Sequence, residues 1–270
     1  MTSDMGIMRD AISFDGQYRE VVSGRTAQMR VSLAGWICAS LRALVMLMVA
    51  WATPAAALDD WQFSAGAATD NITRGIDISA GQPSLFASAA WYPGSGVFAG
   101  ASASSIRSLG SAQTGVEFVT DAGYVWRAGN DWSAQAMLAD YRFTGVPFAY
   151  RIDYDELVLT AGWRDSVFAS ITVSPNTGGG PTPRLWAVSY DLVGRVPLSH
   201  GFSAMASVGY YDIAQETGSG YVYGNAGLTY QYRTLQFDVQ YFTTRASAQM
   251  DMRMGAILVH RWVADMIWHF

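Results

Sequence analysis

The 270-residue chain is half apolar, yet only 14% of its residues are charged and every basic residue apart from three histidines is arginine. A soluble surface carries about twice that charge, and a net charge of −5 without a basic stripe excludes the class of proteins that grip nucleic acid. The longest apolar run, Ala43 to Ala57, is shorter than the ~20 residues a transmembrane helix needs.

Residues 1–28 are polar and patternless, and Met29 is a candidate start. The stretch from Met29 to Ala57 has the form of an export signal: Arg30 and Arg42 precede an apolar core at Leu44 to Trp51, and Ala55-Ala56-Ala57 supplies the small residues a signal peptidase requires. The competing reading is a buried helix, which Thr53-Pro54 and the acidic pair Asp59-Asp60 disfavour. Residues 1–57 are therefore expected to be an N-terminal extension and signal peptide, and 58–270 the functional domain. Mass analysis of the exported protein should find a first residue near Leu58, and retention of residues 30–57 would count against it. The lone Cys38 falls in the removed segment and lacks the small preceding residue of a lipoprotein site. The mature chain then has neither a cysteine nucleophile nor a thiolate metal site.

From Leu58 onward apolar residues recur at every second position, the period of a strand with two unlike faces. Val167, Ala169, Ile171 and Val173 alternate with Phe168, Ser170, Thr172 and Ser174, and Leu235, Phe237, Val239 and Tyr241 with Gln236, Asp238, Gln240 and Phe242. Strands are expected at 60–69, 83–93, 97–107, 113–126, 131–143, 154–164, 166–175, 184–196, 202–212, 221–231, 235–245 and 253–270, each long enough to cross a bilayer when tilted. The segment 131–143 alternates poorly, with Asp140 and Arg142 near its end. Short connections such as Arg164 to Ser166 alternate with longer ones rich in Gly, Asp and Thr, as the two rims of a bacterial barrel require. Such an even count places both ends of the barrel domain on the periplasmic side.

A two-sheet soluble sandwich would also alternate. Trp61, Trp91, Trp126, Trp132, Trp163, Trp262 and Trp268 lie near strand ends, where a membrane-interface girdle needs amphipathic rings. Phe270, Trp268, Met266, Ala264 and Trp262 share one face, and a terminal aromatic backed by alternating apolar residues resembles the signal read by the outer-membrane assembly machinery. The sequence thus predicts an all-β fold: a transmembrane antiparallel barrel of about 12 strands in the outer membrane of Gram-negative bacteria. Its expected partners are outer-membrane lipid, that machinery and small hydrophilic solutes.

Phasing the strands puts Glu117, Asp121, Glu156, Asp191, Asp238 and Asp265 on the inward face, opposed chiefly by Arg184 and Arg261. Charge facing hydrocarbon is costly, so this pattern implies either a hydrated lumen with slight cation preference or an internal Asp–Arg network filling a closed structural or adhesive barrel. Eight strands are normally filled and sixteen leave a channel; the expected function is a porin-like channel. The enzymatic rival is a lipid-modifying hydrolase of the outer membrane. Of three histidines only His260, on the outward face with Ser247 in the preceding loop, would suit a nucleophile–base pair, and an interfacial histidine is the expected role. Nothing in the sequence signals a metal site or a cofactor.

Thr69-Asp70-Asn71-Ile72-Thr73-Arg74-Gly75-Ile76, then Gln82-Pro83-Ser84 and Gly94-Ser95-Gly96-Val97-Phe98-Ala99-Gly100, resemble the TorF-type porin family. There an acidic residue precedes an Arg-Gly pair, a proline opens the next strand and a Gly-aromatic-x-Gly element comes after it. Glu117 with Ala122-Gly123-Tyr124, Tyr154-Asp155-Glu156 and Gly209-Tyr210-Tyr211-Asp212 extend the resemblance over most of Trp61 to Phe270. Asn71 stands where members usually have an aromatic, and Ala101-Ser102-Ala103 where they have a tryptophan. The resemblance implies a barrel and an outer-membrane location. Within the motif, Gly75 is expected to permit a left-handed bend, and Arg74 to pair with Asp70 or Asp77.

Overall fold

A computed structural model of the chain describes residues 60–108, 113–146, 152–177 and 184–270. The expected extension and signal segment, with Cys38 and the cleavage after Ala57, lie outside the described residues.

The described residues form, in chain order, fourteen strands and two short helices: β1 (Trp61–Ala68), β2 (Ile72–Thr73), β3 (Ile76–Asp77), β4 (Ser84–Trp91), β5 (Val97–Arg107), β6 (Thr114–Ala128), β7 (Trp132–Thr144), β8 (Tyr154–Trp163), β9 (Val167–Thr177), β10 (Leu185–Pro197), β11 (Phe202–Asp212), α1 (Ala214–Thr217), β12 (Tyr221–Tyr232), β13 (Leu235–Arg245), α2 (Ala248–Met254) and β14 (His260–His269). Strands β1 and β4 to β14 form one closed antiparallel barrel in which each pairs with its sequence neighbour, β1 pairing with both β4 and β14. Closure leaves no unpaired edge, the condition for placing sheet in hydrocarbon. Among the described residues no helix is long and apolar enough to cross a membrane; the crossing elements are the strands.

The period-two pattern divides the barrel wall. Leu157, Leu159, Ile171, Leu192, Val208, Leu228, Val239 and Met266 point outward and remain exposed, whereas Val158, Thr160, Thr172, Thr229, Asp238, Gln240 and Asp265 point inward and are buried. An apolar exterior around a polar interior is the reverse of a soluble protein and satisfies a lipid surround. Aromatic rings gather on the outer face toward the rim that bears the two ends of the barrel, where Trp61 stacks on Phe63 while Tyr124 meets Trp126, Phe202 meets Tyr230 and Trp268 meets Phe270 at a tilt. Tyr241 and Trp262 do the same nearer the other rim. The fold is therefore a transmembrane β-barrel of the bacterial outer membrane. Leu159→Arg, in the middle of the outward face of β8, should cost about 2–4 kcal/mol, which urea-refolding titrations in lipid vesicles would measure.

One strand boundary needs correction. The last strand begins at His260, because residues 248–254 coil into α2. Ser247 caps that helix by accepting from the Met250 amide, and Met250, Met254 and Leu258 succeed one another at four-residue spacing, burying one helical stripe. The poor alternation in β7 has a different cause. Its outward face is Trp132, Ala134, Ala136 and Leu138 up to the level of the bilayer, then Asp140 and Arg142, which pair with each other, Arg142 also reaching Asp155. The strand overshoots the hydrocarbon, so above Leu138 water rather than lipid selects the outer residues.

Candidate functional site

The loop between β1 and β4 does not project into solvent. Ile72-Thr73 and Ile76-Asp77 pair as a two-stranded hairpin whose central residues Arg74 and Gly75 both have positive φ, 43° and 76°, as the two-residue turn of a tight hairpin demands. Glycine bears this freely; arginine there costs about 1–2 kcal/mol. The hairpin folds into the extracellular end of the lumen, and its tip meets three sectors of the wall.

Arg74 is 3% exposed. Its Nη1 and Nη2 donate to the two carboxylate oxygens of Glu156 on β8 at 2.8 and 3.0 Å, and its guanidinium carbon lies 4.9 Å from the ring centroid of Tyr211 on β11. Beside it, Gly75 presses on β12 and β13. Its carbonyl accepts from the Thr244 hydroxyl at 2.6 Å, and a Cβ added there would collide with that hydroxyl and fall 2.7 Å from the Tyr223 Cβ. Only glycine fits, for space as much as for backbone. Ile76 is enclosed by Tyr211, Tyr221, Tyr223, Met250, Met254 and Leu258, so α2 and the loop after it cap the hairpin from outside.

The base of the hairpin is pinned by Arg261 on β14, whose Nη1 and Nη2 lie 2.7 Å from Asp70 and 3.1 Å from Asp77. The Ser79 hydroxyl donates to Asp70 at 2.5 Å, and the Ser79 amide to Asp77 at 2.8 Å. The expected pairing of Arg74 with Asp70 or Asp77 is thus replaced. Those carboxylates hold Arg261, while Arg74 reaches 82 residues along the chain to Glu156. Asp77 is close to Arg74 in sequence, but the tight turn points the tip inward and away from the base.

Below the hairpin part of the inner face is hydrophilic, while Val158 and Phe168 pack with Val125, Met137 and Val193 in an apolar sector. Asp238 accepts from Thr229 at 2.5 Å and Gln236 at 2.8 Å and faces Asp265 directly across the β13–β14 pair. Asp191 accepts from the Tyr223 and Ser189 hydroxyls, and Asn225 donates to Gln240 at 2.6 Å. Glu117 and Asp121 occupy the same face of β6. These five carboxylates and Glu156 thus share the inner face with Arg261. Arg184 does not join them. It precedes β10, is exposed, and donates to the backbone carbonyls of Asp153 and Asn176 at 2.5 and 3.1 Å, because its strand has already left the barrel wall. Arg195, on the inner face of β10 and bonded to Ser203, is an addition to the expected set, near the end of its strand.

Among the described residues no serine–histidine pair forms. Ser247 is engaged as the α2 cap and with Ser219, whereas His260 is exposed on the outer face with Nδ1 2.9 Å from the Thr243 hydroxyl. Among the described residues no group of three acidic, histidine or cysteine side chains is placed to hold a metal ion. Trp268 and Phe270 lie on the outer face at the periplasmic end, where the Phe270 amide donates to the Phe63 carbonyl of β1 at 2.9 Å.

No protein-family model matches the chain, and no curated protein does. Among solved structures it is similar to the KdgM porin, with 10% identity over 77% of this chain and 99% of that one and a TM-score of 0.48. It is similar also to the translocator domain of autotransporter NalP from Neisseria meningitidis, at 13% identity, 88% and 98% coverage and a TM-score of 0.45. LpxR from Salmonella typhimurium is likewise similar, at 8% identity, 77% and 100% coverage and a TM-score of 0.45. Likenesses this slight do not choose among functions; the chain's own residues must.

Proposed function

We propose that the protein is an outer-membrane channel for passive diffusion of small hydrophilic solutes or ions, with a slight preference for cations and with the β2–β3 hairpin as its constriction. The observation that carries this reading is the inner wall: hydroxyls, amides and carboxylates line a large part of it below the hairpin, beside the apolar sector around Phe168, and the carboxylates outnumber the guanidinium groups Arg74, Arg195 and Arg261 among the described residues. Fixed negative charge inside a low-dielectric wall concentrates cations. The likeness of Thr69 to Ile76 to the TorF-type porins supports the same reading. Export by residues 1–57, insertion guided by Trp268 and Phe270, and contact with outer-membrane lipid complete it.

Refolded protein in planar bilayers tests this. Asp121→Asn with Asp238→Asn should move the reversal potential in a salt gradient toward the value for a non-selective pore while leaving the barrel folded. Neither carboxylate supports Arg261 or Arg184, since Arg261 is held by Asp70 and Asp77 and Arg184 stands at the rim. A parent without conductance under any condition would leave the closed barrel as the better reading.

A further inference from the structure

The guanidinium of Arg74 sits in surroundings that belong to the barrel and not to the hairpin. Glu156 offers both oxygens to a planar fork, the bidentate geometry that distinguishes guanidinium from ammonium. Tyr211 presents its ring face to the same cation, and Tyr154 stands beside Glu156 with its ring stacked on Tyr141 at 4.3 Å. On β6, Glu117 is 7% exposed and lies on the inner face of the same wall. Its Oε2 accepts from Ser104 at 3.0 Å, whereas its Oε1 has no hydrogen-bond partner among the described residues.

This is more than a hairpin needs in order to stay in place. A buried ion pair is generally no more stabilising than apolar residues of the same volume, and Ile76 already supplies an apolar anchor. A carboxylate that offers both oxygens, with an aromatic face on the same cation, is a receptor for any planar cation that carries the fork, tethered or free. A residue in a costly left-handed conformation at the tip is also a sign of function rather than of stability.

We propose that Glu156 and Tyr211 form a luminal binding site for guanidinium-bearing solutes, that Arg74 is the chain's own tethered occupant, and that such a solute widens the channel by taking its place. The inference rests on the channel reading but adds a substrate class and a gate to it. A tethered competitor acts at an effective concentration of about millimolar or more. Free solute therefore binds weakly to the native chain, and strongly once the competitor is removed.

The test is calorimetric titration of methylguanidine into the full chain and into R74A, both refolded in detergent micelles and checked by heat-modifiable migration. Methylammonium and urea serve as the charged but non-planar and the planar but neutral controls. R74A should bind methylguanidine saturably and about tenfold or more tighter than the native chain does, methylammonium more weakly, and urea not at all; R74A/E156Q should lose the binding. In bilayers, methylguanidine but not urea should raise the current through the native chain. Equal heats for methylguanidine and urea with R74A, or binding that survives E156Q, would overturn the proposal. If R74A does not fold, R74K replaces it: lysine cannot form the fork, so R74K must bind methylguanidine more tightly than the native chain, and equal affinity overturns the site. Binding without any current would sink the channel and keep the site; current without saturable binding would do the reverse.

Discussion

Glu156→Ala should expose the Arg74–Gly75 bond to trypsin added from outside and raise single-channel conductance several-fold, while the barrel keeps its heat-modifiable migration. Removing one partner of a buried pair leaves an uncompensated charge at a cost of about 3–5 kcal/mol. The face of Tyr211 returns about 2 kcal/mol. The tip is held besides by the hydrogen bond from Thr244 to the Gly75 carbonyl, worth about 1 kcal/mol, and by the burial of Ile76, worth about 1.5–3 kcal/mol, so the orphaned charge nearly offsets everything else that holds the tip and the hairpin opens part of the time. The wall cannot move to relieve the charge, because β8 is paired on both sides. The hairpin can, since its two strands pair with each other and meet the rest of the chain's backbone chiefly at the Ile76–Leu258 bridge. Continued protection of Arg74 with unchanged conductance would show that the hairpin is a fixed part of the wall.

Gly75→Ala should give the same open phenotype by another route. The added methyl would meet the Tyr223 Cβ at 2.7 Å, an atom fixed to backbone, and no rotamer change in Thr244 relieves it. Thr244→Ala should therefore fail to restore the closed state. Since both substitutions release one element, the double variant Gly75→Ala with Glu156→Ala should conduct like either single variant, a non-additivity expected only when two changes act on the same step. Additive increases in conductance would argue for two separate constrictions.

Much of this was legible in the sequence because a barrel wall obeys one rule, period two with apolar residues outward, and Val167 to Ser174 or Leu235 to Phe242 state it without ambiguity. The inward phase of Asp238 and Asp265 comes from that rule alone. The rule fails where its physical cause ends. Above Leu138 the surround is water, so Asp140 and Arg142 read as noise, and after Arg245 the chain is no longer wall, so the helical spacing of Met250, Met254 and Leu258 was submerged in the neighbouring strand. The inward turn of the first loop had a signal, namely Ile72, Ile76 and Ile78 around Arg74-Gly75, too apolar for a solvated loop and spaced as a hairpin. That Arg74 would choose Glu156 over two nearer carboxylates depends on where the tip points, which only the folded backbone decides.

The hairpin also bears on how the barrel is fastened. β1 and β14 share the shortest register in the wall, from Ser64–His269 to Ala68–Asp265, and a ladder that short is the natural place for a closed sheet to part sideways. Directly beyond its extracellular end, the Asp77 amide donates to the Ile257 carbonyl at 2.9 Å, the Val259 amide to the Gly75 carbonyl at 3.2 Å, and Arg261 grips Asp70 and Asp77. These bonds join the two ends of the barrel and span nearly its entire length in sequence, so they close loops almost as long as those of the seam itself. The hairpin proposed as the constriction is thereby also the rivet of the seam, and a chain that loses it should gain permeability and lateral fragility together.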